Sequence, residues 1–211
     1  MKLKGPEGEL LQELDLDIKA GERIAIQARR ADGGGALLQL LCGQLPLRSG
    51  AMRYNGSNLT RPGHSHHLHK YRRGVELLRR GRELLDGTHL LGNGLYALEF
   101  APRSLQLKAP DAVRVGEILG LAGFDDVYRP VSSLSAAERI RAGWARVVLR
   151  QPNVALCIGS LWALGGEDCA HIHALWKQLP EHAAAVLVSD EPAPTALKLD
   201  RRLRLDHGVL V

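Results

Sequence analysis

The stretch GERIAIQARRADGGGALLQLLCG, residues Gly21 to Gly43, decides the fold of this chain. It predicts a short apolar strand around Ile24 and Ile26, then a glycine-rich turn, then a leucine-rich helix from about Gly35 to Cys42. This order is typical of a phosphate-binding loop, in which backbone N–H groups and the start of a helix face an anion. Where the glycines end, however, the sequence has neither a lysine nor a serine or threonine. The stretch therefore predicts the shape of a nucleotide site without the side chains that hold a nucleotide.

The composition is that of an ordinary globular chain. The 211 residues are 45% hydrophobic and 24% charged, which fits one sizeable domain with a real core. The three cysteines lie far apart without metal-ligand spacing, which indicates a reducing cytosol. The N-terminal MKLKGPEGE has no apolar segment, so we expect no signal peptide, and the apolar runs are too short to span a bilayer.

The basic charge does not by itself indicate a nucleic-acid partner. The net charge is +5, and the densest basic block runs from Lys70 to Arg82. No aromatic stacking platform accompanies this block, and acidic residues are interspersed among most of the other basic ones. We therefore expect no nucleic-acid binding.

The remaining sequence predicts alternating strands and helices. A helix capped by Ser133 or Ser135 is expected to end before Pro152. The segment between about 88 and 127 predicts several short helices. The expected strands and turns are a half-buried strand in LDLDIKAG (14–21), a hairpin turn at Asn55-Gly56, buried strands in NVALCI (153–158) and AAAVLVS (183–189), and a closing hairpin with its turn at His207-Gly208. This order predicts an α/β fold with a largely parallel sheet.

Several landmarks in the correct order resemble the ATP-binding cassette (ABC) ATPases, the nucleotide-binding subunits of ABC transporters. They are LDLDIKAGERIAI before the glycine turn, LLQLLCGQLPLRSGAMRYNGSNLT after it, SSLSAAERIRAGWARVVLRQPNVALCI in the middle and RLRLDHGVLV at the end. The resemblance runs from about Leu10 to Val211. It implies a single domain over 1–211 with a P-loop NTPase-like fold: a mainly parallel core sheet, an antiparallel β subdomain and a helical subdomain at about 80–150.

The phosphate loop departs from the family pattern. The family typically has GPSGSGKST where this chain has ARRADGGGA, residues 28–36. Gly34 stands in place of the lysine that reaches the phosphates, and Gly35 in place of the hydroxyl that binds magnesium. The loop's N–H groups and nearby arginines are candidates for attracting an anion, and an ordinary solvated loop is the alternative. The candidate binding residues here are Arg29, Arg30, Gly33, Gly34 and Gly35.

The other family motifs are altered as well. The signature segment LSGGQ is LSAAE here, which keeps Ser135 as a candidate contact to an ATP held by a partner subunit. Aligned on RQPNVALCI, the magnesium-binding aspartate and the general-base glutamate of the family become Ile158 and Gly159. The family's glutamine loop falls near Arg79. The segment AAAVLVSDEP also has an Asp-Glu end, but its distance from the signature segment places Asp190 at the family's switch histidine instead.

The histidines of HSHHLHK offer an alternative site. If this segment were helical, His66 and His69 would share a face and could touch a metal. No nearby cysteine or carboxylate completes a ligand set, so we expect an exposed polar connector and no metal site.

These departures lead to a functional hypothesis. The chain is expected to be a catalytically inactive pseudo-ATPase subunit that binds ATP and magnesium weakly or not at all. It would act as a structural or regulatory part of an ABC transport complex, in the cytoplasm at the inner face of the membrane. Its expected partners are a permease, held by the helical subdomain, and a second cassette, identical or different. The alternatives are an active ATPase with substitutes such as Arg29, Arg30 and Asp190 or Glu191, and a soluble scaffold without a membrane partner.

Overall fold

A sheet of six strands forms the centre of the molecule, with five strands parallel and the last one antiparallel. The computed structural model describes residues 3–5, 8–11, 14–44, 49–60, 65–79, 81–99, 111–159, 161 and 163–211, with residues 3–5, 8–10 and Arg30 described by their backbone alone. The described strands are β1 Leu3–Gly5, β2 Gly8–Leu11, β3 Arg23–Ala28, β4 Arg53–Tyr54, β5 Ser57–Asn58, β6 Val75–Arg79, β7 Val154–Ile158, β8 Ala184–Ser189, β9 Arg201–Asp206 and β10 Val209–Leu210. The described helices are α1 Gly34–Leu41, α2 Ser65–Arg73, α3 Leu90–Glu99, α4 Asp111–Leu121, α5 Ala136–Arg150 and α6 Gly166–Trp176.

The strand order of the central sheet is β10-β9-β3-β8-β7-β6. Neighbouring strands from β9 to β6 are parallel, and β10 pairs antiparallel with β9 through the predicted closing hairpin. Two separate antiparallel pairs lie outside the central sheet: β1-β2 precedes it in sequence, and β4-β5 lies between β3 and β6. The predicted α/β class with a mainly parallel sheet and additional antiparallel strands is therefore confirmed. Because β3, β6, β7 and β8 are parallel, their carboxyl ends meet at one edge, where open α/β sheets place their sites.

Two apolar layers cover the sheet. On one face, α1 packs Leu37 and Leu40 against the strands. On the other face, α5 contributes Trp144 and Val148, both almost fully buried, and α3, α4 and α6 pack around it. All six residues of β8 are buried, as expected for a central parallel strand covered on both faces.

Helix α5 begins and ends as its sequence predicts. Ser135 is its N-cap, and Gln151 closes it in the left-handed conformation with φ of 48°, just before Pro152. Of the two capping candidates, the structure therefore selects Ser135. The division of the chain into a single domain with a helical subdomain at about 80–150 stays a prediction.

One local prediction is wrong, and another segment is more regular than expected. The segment from Leu14 to Lys19 is not a strand, although Leu14 is buried and Asp15 exposed as the alternation suggests. One-sided packing of its apolar side chains against the α1 layer explains the pattern without a hydrogen-bonded ladder. The expected polar connector with the histidines is the helix α2, because the buried Tyr71 anchors it by donating a hydrogen bond to the Leu41 carbonyl. His64 lies outside the described residues.

Candidate functional site

The glycine-rich loop joins β3 to α1 at the sheet edge. After Ala28 the chain makes a short 3₁₀ turn over Arg30–Asp32, and α1 starts at Gly34. Between them, Gly33 has φ of 93° and ψ of 11°, a left-handed conformation that glycine adopts without the steric cost of a side chain. The predicted strand, turn and helix are thus present in the predicted order.

Two backbone N–H groups of this loop are directed inward, at a carbonyl of the loop itself. The N–H groups of Asp32 and Gly34 both donate to the carbonyl of Arg29, at 3.1 and 3.2 Å. A phosphate-binding loop directs such groups at its ligand instead. In this conformation, two donors of the loop are already satisfied by the loop itself.

The loop packs so closely that Gly34 has no room for a side chain. A Cβ atom at Gly34 would lie 2.7 Å from the carbonyl oxygen of Ala28 and 3.1 Å from that of Arg29. The next residue, Gly35, is different, because a Cβ there would meet nothing within 4 Å. The position aligned with the family's lysine is therefore closed, and the position aligned with its hydroxyl is open.

Negative charge accompanies the loop. Asp32, Asp206 and His207 offer ligand atoms that all lie within 4.8 Å of one another, and the His207 Nδ1 is 2.8 Å from a carboxylate oxygen of Asp206. Sequence reasoning missed this cluster because its members are far apart in the chain. Of the two arginines expected to supply positive charge, Arg29 is exposed, and the side chain of Arg30 lies outside the described residues.

A cavity of about 390 Å³ opens between α1 and the ends of β6 and β7. Gly35, Arg79, Ile158 and Gly159 line it together, so the structure brings together the positions that the alignment assigned to the magnesium, glutamine-loop and general-base residues. None of these four residues has a side chain with an oxygen atom that could bind a metal ion. Asp190 is not among the lining residues, which favours β7 over β8 as the strand aligned with the family's catalytic carboxylates.

Gly159 has a backbone conformation that favours glycine. Its φ is 115°, in the range that side-chain-bearing residues rarely adopt, and its N–H donates to the Val188 carbonyl at 3.0 Å. A glutamate at this position would be strained in the present backbone.

The signature segment forms a capping box at the start of α5. The Ser135 hydroxyl accepts from the Glu138 N–H at 3.3 Å, and the Ser135 N–H donates to the Glu138 carboxylate at 2.8 Å. Arg129 holds the same carboxylate with two hydrogen bonds, at 2.5 and 3.1 Å. This guanidinium lowers the pKa of Glu138 to about 2, so the carboxylate is ionised at neutral pH. Sequence reasoning found Ser135 but missed Glu138, although the Ser-x-x-Glu spacing was a usable signal.

The histidines of α2 belong to no metal cluster that the structure describes. In the described part of the chain, Asp32, Asp206 and His207 form the one group of three or more potential ligands close enough to share an ion. His66 and His69 are exposed on α2. Among the described residues, no helix combines the length and apolar character that crossing a bilayer requires.

Comparisons with known proteins agree with this architecture. A sequence model of the family described as ABC transporter matches residues 11–157. The chain is 30% identical over 213 residues to the lipoprotein-releasing system ATP-binding protein LolD of Chromohalobacter salexigens, with 98% of this chain and 87% of that protein covered. It is 27% identical to the methionine import ATP-binding protein MetN 1 of Acinetobacter baylyi, with 99% of this chain covered but only 58% of the MetN protein.

Solved structures share the fold. The ATP-binding cassette MJ0796, in a dimeric post-hydrolysis state with ADP and Pi, superposes with a TM-score of 0.76 at 20% identity, covering 99% of this chain and 92% of that one. The cbiO1 protein of Clostridium perfringens, part of the ABC transporter complex cbiONQ, gives a TM-score of 0.77 at 17% identity, covering 100% of this chain and 84% of that one. With the family model spanning most of the sequence and the cassette fold present throughout, this chain belongs to the ABC transporter family of ATP-binding cassettes.

Proposed function

We propose that this chain is a catalytically inactive cassette subunit, a pseudo-ATPase that serves as a structural or regulatory part of an ABC-type transport complex. The observation that carries the proposal is the cavity at the sheet edge. Gly35, Ile158 and Gly159 line it, at the positions aligned with the magnesium ligands and the general base. Without an oxygen ligand or a base at these positions, neither a metal ion nor an attacking water is held there.

The geometry of the glycine-rich loop supports the proposal that the chain binds ATP only weakly. Gly34 supplies no cation, two loop N–H groups are bonded to the Arg29 carbonyl, and the Asp32 carboxylate lies beside that of Asp206. Each lost charge-assisted contact is worth roughly 1.5–3 kcal/mol. Losing the lysine and two magnesium ligands thus removes more than ~4 kcal/mol, which is about a thousandfold in affinity. Micromolar binding becomes millimolar or weaker.

The proposed partners are a membrane permease and a second cassette. Among the described residues between 85 and 128, four large apolar side chains are exposed: Leu85, Tyr96, Val113 and Tyr128, with exposed fractions of 46, 41, 52 and 66%. They lie on or beside α3 and α4, in the helical subdomain that we expect to hold the permease. The dimeric MJ0796 structure and the assembly of cbiO1 in a transporter complex are precedents for both kinds of partner. The proposed location is therefore cytoplasmic, at the inner face of the membrane.

Ser135 gives this subunit a role at a partner's nucleotide. It is exposed at the N-terminus of α5, where the helix dipole favours an anion. In a heterodimer with a competent cassette, this end of α5 would face an ATP that the partner binds and hydrolyses. In a homodimer, both sites would lack the catalytic groups.

ATP turnover by the purified chain tests the inactive assignment. We expect no hydrolysis above that of a preparation from cells carrying the empty vector, and no binding of magnesium-ATP below the millimolar range in isothermal titration calorimetry. The variant Arg29→Ala should leave both measurements unchanged. Turnover by the isolated chain, lost in the Arg29→Ala variant, would instead establish the active ATPase with substitute residues.

Membrane association tests the partner assignment. A tagged chain should co-purify with a permease from detergent-solubilised membranes of its own cells. A Tyr128→Asp variant places a charge within the exposed apolar set and should weaken this recovery. The matched Val211→Asp change, at a side chain that is 70% exposed and outside the helical subdomain, should not. Recovery of the chain from the soluble fraction alone would favour a scaffold without a membrane partner.

A further inference from the structure

The cavity beside α1 has a floor that suits an aliphatic group. Leu38 of α1, Leu77 of β6 and Ile158 of β7 line it, and each of these side chains is only partly buried by the protein. Its volume of about 390 Å³ lies within the usual range of small-molecule sites, roughly 300–1,000 Å³. Partly exposed apolar side chains gathered in a concave site gain free energy when a ligand removes them from water.

The rim of the same cavity is cationic. The side chains of Arg79 and Arg82 line it, and both residues are exposed. No aspartate or glutamate is among the described lining residues, and within the described residues neither guanidinium has an ion-pair partner. Arg79 also opposes the rise in the pKa of the Cys42 thiol that burial causes, and Cys42 is itself a lining residue.

Two amides complete the polar lining. Gln39 and Gln44 are exposed residues on the α1 side of the cavity, and each amide offers both a donor and an acceptor to a ligand. The polar lining therefore combines two fixed positive charges with adaptable hydrogen-bonding groups. This arrangement fits a planar carboxylate, which arginine binds through paired N–H donors.

From the apolar floor and the cationic rim, we infer that this cavity binds a small aliphatic carboxylate, with the head group at Arg79 and Arg82 and the tail over Leu38, Leu77 and Ile158. The ligand uses the side of α1 and the ends of β6 and β7. It does not use the inward-directed N–H groups of the glycine-rich loop. The site lies in the cavity on which the proposed function also rests. Octanoate binding and ATP turnover are measured separately, so a failure of this inference is distinguishable from a failure of the proposed function.

Titration of the full chain with octanoate, acetate and 1-octanol tests the inference by isothermal titration calorimetry. Octanoate has both the head and the tail, whereas acetate lacks the tail and octanol lacks the charge. We expect octanoate to bind at least tenfold more tightly than either of the others, because each lacks one half of the complementary surface.

Paired variants show where octanoate binds. The double variant Arg79→Gln with Arg82→Gln removes both rim charges and should weaken octanoate binding by about tenfold or more. Arg204→Gln, an exposed arginine of β9 outside the cavity, is the matched control and should bind octanoate as the unaltered chain does. Thermal unfolding without ligand should agree for all three proteins, since the changed side chains are exposed.

Two results would overturn the inference. One is the absence of octanoate binding to the unaltered chain. The other is octanoate binding of equal strength in the double variant and the Arg204→Gln control, which would mean that octanoate associates with apolar surface elsewhere.

Discussion

Substitution of Gly34 by alanine tests whether the glycine-rich loop is as closed as the structure indicates. The new Cβ would lie 2.7 Å from the Ala28 carbonyl oxygen, whereas ordinary van der Waals contact begins at 3.4 Å. The crowded atoms are backbone carbonyls rather than the end of a flexible side chain, so relief requires the end of β3 to shift relative to α1. The matched control is Gly35→Ala, one residue later in the same helix, where a Cβ meets nothing within 4 Å.

The magnitudes follow from two opposing effects. Replacing a helical glycine by alanine stabilises a protein by up to about 1 kcal/mol. Crowding in a well-packed region costs about 1–3 kcal/mol. Gly34→Ala should therefore lower the free energy of unfolding by about 1–2 kcal/mol, and Gly35→Ala should leave it unchanged or raise it by up to about 1 kcal/mol.

Urea unfolding followed by circular dichroism measures both variants, and an unchanged slope against urea confirms that the same transition is compared. If Gly34→Ala proved as stable as Gly35→Ala, the loop would be able to open, and our account of the closed phosphate site would be wrong. The result also bears on function, because a lysine at position 34 has the same Cβ. We expect Gly34→Lys to be destabilised in the same way and to gain no ATP binding.

Three further predictions concern α5. Ser135→Ala removes the N-cap acceptor and should cost about 1 kcal/mol in urea unfolding; no change would show that water replaces the hydroxyl. The pKa of Glu138 is lowered to about 2 from its usual 4.5, so its pairing with Arg129 stabilises the fold above pH 4.5 and is lost as the pH falls towards 2. Since the Arg129 side chain is 36% exposed, screening limits this effect to about 1 kcal/mol, and Glu138→Gln should flatten the acid limb of stability against pH. Trp144→Ala should destabilise the protein by about 3–5 kcal/mol, as its side chain is 1% exposed; a loss below 1 kcal/mol would contradict its place in the core.

Much of the fold was predictable because short stretches of sequence determine the elements concerned. The apolar run around Ile24 and Ile26, the glycines before α1 and the turn at His207-Gly208 each act over a few residues, and each appears where expected. Similarly, α5 begins and ends within one residue of the positions that the Ser135 cap and Pro152 predict.

The features that the sequence did not predict share one physical cause, which is dependence on distant residues. Helix α2 has little apolar periodicity and is anchored through Tyr71, whose partner Leu41 lies in another element. The segment at Leu14 alternates apolar and polar residues as a strand does. A hydrogen-bonded ladder, however, also needs a neighbouring strand from elsewhere in the chain. Short-range sequence patterns do not indicate such partners.

The candidate site divides in the same way. By itself, the sequence determined that positions 34, 158 and 159 carry no cation, carboxylate or base, because Gly34, Ile158 and Gly159 are identities that no fold can change. Only the tertiary structure decided that the Gly34 position is closed by the Ala28 carbonyl and that Arg79 faces the cavity beside Ile158. These relations are distances between segments remote in the chain, and the packing of β3, β6 and β7 around α1 sets them.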